Sequence, residues 1–227
     1  MAYVEPFAGT THRLVRSKYV DDDGGLADID VDVKELAAIQ ALDSATNQRS
    51  WAEQSFGIGI GPGELIYGVP DARLINAAFT HTSPHGSRFN DRTRGAWYAG
   101  ETISVSQSEV AYHQQRLLAE TRVKEDASVQ YVNLESDFNC DFHLLDALEQ
   151  KTCLQPEPVP QCYGPGQSLA RTLMFNERSN GIVYKSVRSQ NGTCVVCFRP
   201  VLVYPIRRGA RLVLTLRKGD LSMWSNS

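Results

Sequence analysis

The chain has 227 residues and a mass of 25.2 kDa, room for one well-buried domain or a domain with an extension. Its 23 Lys and Arg against 26 Asp and Glu give a formal charge of −3, which argues against a dedicated nucleic-acid binder with a basic face for phosphates and leaves room for a local basic cleft. No apolar run reaches the ~18–20 residues that cross a bilayer, and the N-terminus M-A-Y-V-E-P-F lacks the basic-then-apolar order of a secretory signal.

In chain order, residues 11–19 (T-H-R-L-V-R-S-K-Y) alternate and predict an opening strand, broken by the acidic loop D-D-D-G-G at 21–25. Leu36, Ile39 and Leu42 among alanines predict a helix from Val33 to about Trp51. The glycines of G-I-G-I-G-P-G at 57–63 match neither phosphate-loop spacing and read as a connector. Arg73–Phe79 predicts a short helix, Ser83–Gly86 a turn that delivers Arg88, and Ala96–Ala99 an aromatic strand. A helix running to about Thr121 follows, with Glu109 expected in its first turn.

Ser128–Leu134 then alternates as a strand, Phe142–Leu148 reads as helix, P-E-P-V-P at 156–160 as an extended loop, and Gln167–Phe175 as helix. The last third reads as sheet. Gly181–Arg188 predicts a strand placing Tyr184, Ser186 and Arg188 on one face. Asn191-Gly192 predicts a hairpin turn, because both residues tolerate positive φ. Thr193–Phe198 and Arg211–Arg217 complete the strands.

The five cysteines are an odd set for a disulfide framework, so a reducing cytoplasm is the expected compartment. Cys194-x-x-Cys197 lies in an apolar strand, where positions three apart face opposite sides, and the five histidines show no H-E-x-x-H spacing; no metal site is expected. Three residues carry chemistry with ordinary structural roles beside it. Glu109 completes the capping box Ser106-x-x-Glu109, with Ser104-x-x-Gln107 competing, yet it also borders an apolar stripe where a carboxylate would face a cleft. Arg88 could pair with Asp91 at the surface or fork onto a phosphate. Tyr98 could be simple core. Because turn, strand and helix are consecutive elements, a cation, a phenol and a carboxylate can converge on one cleft, which suits an anionic ligand that reacts through a cation. Ser186 lacks the G-x-S-x-G elbow of a nucleophile and reads as a hydrogen-bonding serine. His113, one turn beyond Glu109, could line the same cleft.

Taken in order, G-S-R-F-N with Arg88, W-Y-A with Tyr98, S-E-V-A-Y-H with Glu109, S-L-A-R-T-L at 168–173 and G-I-V-Y-K-S-V-R with Ser186 resemble the RES-domain family of bacterial toxins. The resemblance covers about 72–217, with Ser87 where a glycine is common and Lys185 where proline is usual. Arg13 looks like the family's early arginine on the opening strand, and the helical and Gly-rich stretch of about 21–71 looks like an insertion within a single domain spanning 1–227. The resemblance implies an α/β (α+β) fold of ADP-ribosyltransferase type, a small mixed or antiparallel sheet flanked by helices. It implies consumption of NAD+ as substrate by hydrolysis or phosphorolysis, with no bound prosthetic group. Protein ADP-ribosylation and a non-catalytic partner-binding module are the alternatives. It also implies a toxin paired with an Xre-like DNA-binding antitoxin whose tail blocks the cleft, in a cytoplasmic protein without membrane or direct nucleic-acid contacts; a homodimer is left open. Implied roles are Glu109 stabilising the ribosyl cation, Arg88 with Arg13 on the pyrophosphate, Tyr98 and Asn90 on the substrate, and Ser186 holding Glu109.

Overall fold

The structure, a computed structural model, describes residues 3–21, 59–120, 127–216 and 222–227. The helix expected over 33–51, the loop 22–25, the start of the Gly-rich connector at 57–58 and Arg217 lie outside the described residues. Seven strands form the sheet: β1 (Val4–Arg16), β2 (Trp97–Gly100), β3 (Ala127–Leu144), β4 (Gly181–Lys185), β5 (Thr193–Cys197), β6 (Ile206–Leu216) and β7 (Ser222–Asn226). Among the described residues the α-helices are α1 (Ser17–Val20), α2 (Ala72–Thr80), α3 (Ile103–Glu120), α4 (Ala147–Cys153), α5 (Gly164–Phe175) and α6 (Pro200–Val203). The mixed α/β class, with a mostly antiparallel sheet, is as expected.

The strand order is β1-β2-β5-β4-β3-β6-β7, and β1 also pairs with β3. Two half-sheets result. One consists of β1, β3, β6 and β7, the other of β2, β5 and β4. They join where His12 meets Gly100 and, in the sheet's parallel step, where His143 and Leu144 meet Ile182 and Val183. The main core fills the space between the halves, with Val132, Leu134, Phe138 and Phe142 of β3 packed toward Trp97, Ala99, Val195 and Cys197. The outer face of the three-stranded half packs Ile182, Cys194 and Val196 on Ala170 and Leu173 of α5. The other half presents Tyr131, Leu212 and Leu214 to Ala111 of α3. Cys194 and Cys197 thus belong to different cores, as their spacing predicts.

Several expected boundaries are corrected. β1 begins at Val4 and ends at Arg16, because all thirteen of its residues pair with β3, from Val4–His143 to Arg16–Tyr131; that ladder overrides the weak strand propensity of Pro6 and Gly9. For the same reason β3 runs to Leu144, so residues 142–144, expected as helix, are strand. Leu134, Ser136, Phe138 and Phe142 continue its buried face with a period of two. Helix α4 starts only at Ala147, where Asp146 accepts from Glu149 N at 2.8 Å and Glu149 Oε2 accepts from Asp146 N at 3.0 Å, a reciprocal capping box. The loop 186–192 closes the β4–β5 hairpin with Asn191 at φ 60°, whereas Gly192 does not need positive φ. Among the described residues no helix is long and apolar enough to cross a membrane.

Candidate active site

A cleft of about 500 Å³ opens between the half-sheets, lined by residues of β1, β2, α3, the turn before β2 and the loops after α4 and β4. Its first wall is the turn that carries Arg88. Gly86 turns the chain at φ 68°, and a side chain there would put Cβ 2.2 Å from Asn90 O. Ser87 N donates to Asn90 O at 2.8 Å. From α5, Gln167 Nε2 donates to the carbonyls of His85 and Ser87 (2.9 and 3.0 Å), and Gly166 lets the backbones meet, since a Cβ there would sit 2.3 Å from Arg88 O. The turn is therefore rigid, and so is the root of Arg88.

Arg88 is buried. Its Nη1 donates to Cys153 O and Gln155 O at 2.8 and 2.9 Å, and its guanidinium lies 5.2 Å from the Tyr163 ring centre. The surface pairing with Asp91 does not form: Asp91 takes Thr93 and Arg171 instead. Tyr98 lines the cleft, but its hydroxyl is occupied behind it, accepting from Phe89 N at 2.9 Å and donating to Asn90 Oδ1 at 2.8 Å. Burial pushes that phenol well above its ordinary range, so it stays protonated. Asn90, expected on the substrate, does not line the cleft; it is buried one layer back as the acceptor for Tyr98. Arg13 sits at the cleft floor, 4.9 Å over the Trp97 ring, with Nη1 donating to Tyr98 O at 3.0 Å; burial pushes its pKa down to about 10, leaving it a cation at neutral pH.

Glu109 enters from α3. That helix starts at Ile103, with Val105 N donating to Thr102 Oγ1 at 3.4 Å, so Glu109 lies in the second turn rather than the first. Neither expected capping box forms. Ser106 instead accepts from Gly100 N at 3.0 Å and donates to His12 O at 2.5 Å, pinning α3 to β1 and β2. Freed from its helix start, the Glu109 carboxylate reaches Ser186, whose Oγ donates to Oε1 at 2.6 Å. Strand β4 ends at Lys185, so Ser186 opens the following loop and does not share a strand face with Tyr184 and Arg188. There its Oγ accepts from Arg188 N and Ser189 N at 3.1 and 2.9 Å. With both lone pairs filled, its one proton goes to Glu109. Cys194 Sγ lies 3.9 Å from the same oxygen; burial, then Glu109, pushes the thiol up to about 12, so it remains neutral.

The structure thus brings Arg13, Arg88, Tyr98 and Glu109 to one cleft, while Ser186 reaches it only through Glu109 and Asn90 sits behind Tyr98; neither of these two lines it. Arg116, Arg188 and Tyr163 also line it, though the sequence reading assigned them no role. Spacing held the signal for Arg116: Glu109, His113, Arg116 and Glu120 recur on one helical face. His113 also lines the cleft; its pKa is lowered by desolvation and by the charges of Arg188, Arg88 and Arg116, against the opposing pull of Glu109. Four arginines against two carboxylates, Glu109 and Glu120, give the cleft lining a net positive charge around one fixed carboxylate. Among the described residues, no group of three or more His, Cys, Asp or Glu could hold a metal ion.

Residues 65–215, two thirds of the chain, match the family profile of the RES domain. The chain belongs to the RES domain family. The matched region of this RES protein carries Arg88, Tyr98, Glu109 and Ser186, while Arg13 precedes it. A comparison with curated proteins found no match. Among solved structures, a chain in the crystal structure of the M. tuberculosis MbcT–MbcA toxin–antitoxin complex overlaps this RES protein with a TM-score of 0.42 and 9% identity, over 94% of this chain and 87% of that one. That overlap is too loose to carry residue roles across.

Proposed function

We propose that this RES protein is a toxin that depletes NAD+ by breaking the bond between ribose C1′ and the nicotinamide nitrogen. The bonding pair leaves with the nicotinamide, which departs neutral because it was already cationic, so no general acid is required. The ribosyl carbon is left as an oxocarbenium ion. The Glu109 carboxylate stabilises that charge and accepts a hydrogen bond from a ribose hydroxyl that strengthens as the cation forms. Water or phosphate then adds to C1′, giving ADP-ribose or its 1-phosphate. Arg88 and Arg13 supply the counter-charge for the pyrophosphate, and Ser186 keeps Glu109 aimed. A DNA-binding antitoxin would silence the protein by filling the same cleft.

The observation that supports this reading above all is the 2.6 Å Ser186–Glu109 bond at an arginine-lined cleft, a carboxylate fixed where anions collect. The test is chromatography of the products formed from NAD+ by purified protein, with and without phosphate. Free nicotinamide is expected, with ADP-ribose or its 1-phosphate as co-product. Glu109→Gln should cut turnover by about 10²–10³-fold or more, the scale of losing one electrostatic stabiliser, without altering the circular dichroism spectrum. Wild-type activity retained in that variant would remove the assignment.

A further inference from the structure

Segment 153–160 reaches the cleft at Val159 and Pro160 and is tied down by side chains. Pro156, Pro158 and Pro160 have no N–H, so the segment offers carbonyls and few donors. The cleft arginines fill those carbonyls. Arg88 takes Cys153 O and Gln155 O, Arg116 Nη2 takes Val159 O at 2.6 Å, and Arg188 Nη2 takes Pro156 O at 2.7 Å. Each arginine is thereby held in place before any ligand arrives.

Arg188 differs from the other two. Its guanidinium lies over the Tyr112 ring, 3.3 Å from the centroid, which fixes its plane, and its side chain is only 13% exposed. Among the described residues, its side-chain hydrogen bonds leave from Nη2 alone, as those of Arg88 leave from Nη1 alone, whereas Arg116 also gives Nε to Glu120 at 2.9 Å. That same Nη2 faces an anion already, Glu157 Oε1 at 3.5 Å, and the Glu157 carboxylate is half exposed and tied to the Tyr112 hydroxyl. Arg188 also follows Ser186 by two residues and donates its own N–H to the Ser186 hydroxyl. Its distance from the Glu109 anchor is therefore set by one short loop. Arg188, Arg88 and Arg116 line the same cleft as His113.

We propose that Arg188 is a specificity-determining residue that takes a phosphate of the dinucleotide, and that Glu157 is the carboxylate this phosphate displaces. The inference rests on the NAD+ reading for its substrate and on the cleft's geometry for its chemistry. Arg88 and Arg188, both in the cleft lining and both bonded to carbonyls of 153–156, then share the pyrophosphate, and a nucleoside without phosphates has nothing to exchange for Glu157.

The experiment compares NAD+ with nicotinamide riboside, which has the same scissile bond and no phosphate, on wild type, Arg188→Ala and Glu157→Gln. Arg188→Ala should raise KM for NAD+ by about tenfold or more, the scale of one charge-assisted hydrogen bond, with little change in kcat and none in KM for the riboside. Glu157→Gln, an exposed change that leaves the core untouched, should lower KM for NAD+ by roughly twofold to threefold, since an exposed pair is weak. An unchanged KM for NAD+ in Arg188→Ala, or an equal rise for both substrates, would overturn the proposal. Should wild type leave NAD+ intact, the activity reading fails by itself. Calorimetric binding of ADP and adenosine then decides: a loss of about tenfold in Arg188→Ala for ADP alone supports the phosphate contact, and equal affinities overturn it.

Discussion

The hydroxyl of Ser186 accepts two backbone N–H groups and gives its proton to Glu109. Replacing it with Ala leaves those N–H groups without their acceptor and lets the carboxylate swing. A hydrogen bond to a charged group is worth about 1.5–3 kcal/mol, so Ser186→Ala should lower kcat for NAD+ cleavage by roughly ten- to hundredfold, a loss seen in steady-state kinetics at saturating substrate. His113, one turn along the same helical face, reports the same field. Desolvation and three arginines hold its pKa below the ordinary imidazole value of about 6.5, while Glu109 raises it. In Glu109→Gln that support disappears, so the midpoint should move lower still, which the titration of its ring proton by NMR would reveal; a midpoint that rises would mean the two side chains do not share a cleft.

At the scale of elements, the site depends on how closely α5 approaches the turn that carries Arg88. Gly166→Ala would place a methyl group 2.3 Å from Arg88 O, backbone that cannot rotate away. Forcing it in should cost about 1–3 kcal/mol of stability by denaturant unfolding and, by shifting Arg88 even slightly, up to about a hundredfold in kcat/KM. The elements also explain what could be read in advance. The order and spacing of the motifs with Arg88, Tyr98, Glu109 and Ser186 carry the family resemblance, and because turn, strand and helix are consecutive elements a shared cleft for the first three was readable from local sequence. The start of α3 was not, since Ser106 forms a plausible local cap but in the fold bonds to β1 and β2, a long-range preference invisible in sequence. Strand β3 was cut short for a similar reason: Phe142–Leu148 looks helical until the whole length of β1 is laid beside it. The Asp146–Glu149 box that marks the true helix start was present in the sequence and overlooked. Asn90 lay beside Arg88 in the motif, but only the fold shows its side chain turned back to Tyr98.

For the molecule as a whole, two half-sheets meet over a shared core, and strands of both, with α3, line the cleft. Phe142, buried between the halves against Phe7 and Phe138, should cost about 3–5 kcal/mol when replaced by Ala, measured by chemical denaturation. Across β1, β3 and β6, Asp137 accepts from Thr10 and Arg207, which hold its carboxyl down at about 2. Because the folded pKa is depressed, this contribution to stability is complete above the usual carboxylate value of about 3.9 and is lost as pH falls toward 2. Asp137→Asn should flatten the acid side of a plot of Tm against pH over that window. The central claim, that the arginines and Glu109 face the two ends of one dinucleotide, is tested most directly by a crystal structure of the Glu109→Gln variant with NAD+. The account predicts ribose C1′ about 3–4 Å from the residue 109 side chain, near-attack distance, with the pyrophosphate between Arg88 and Arg188. NAD+ bound outside the cleft, or with its pyrophosphate turned away from both arginines, would contradict it.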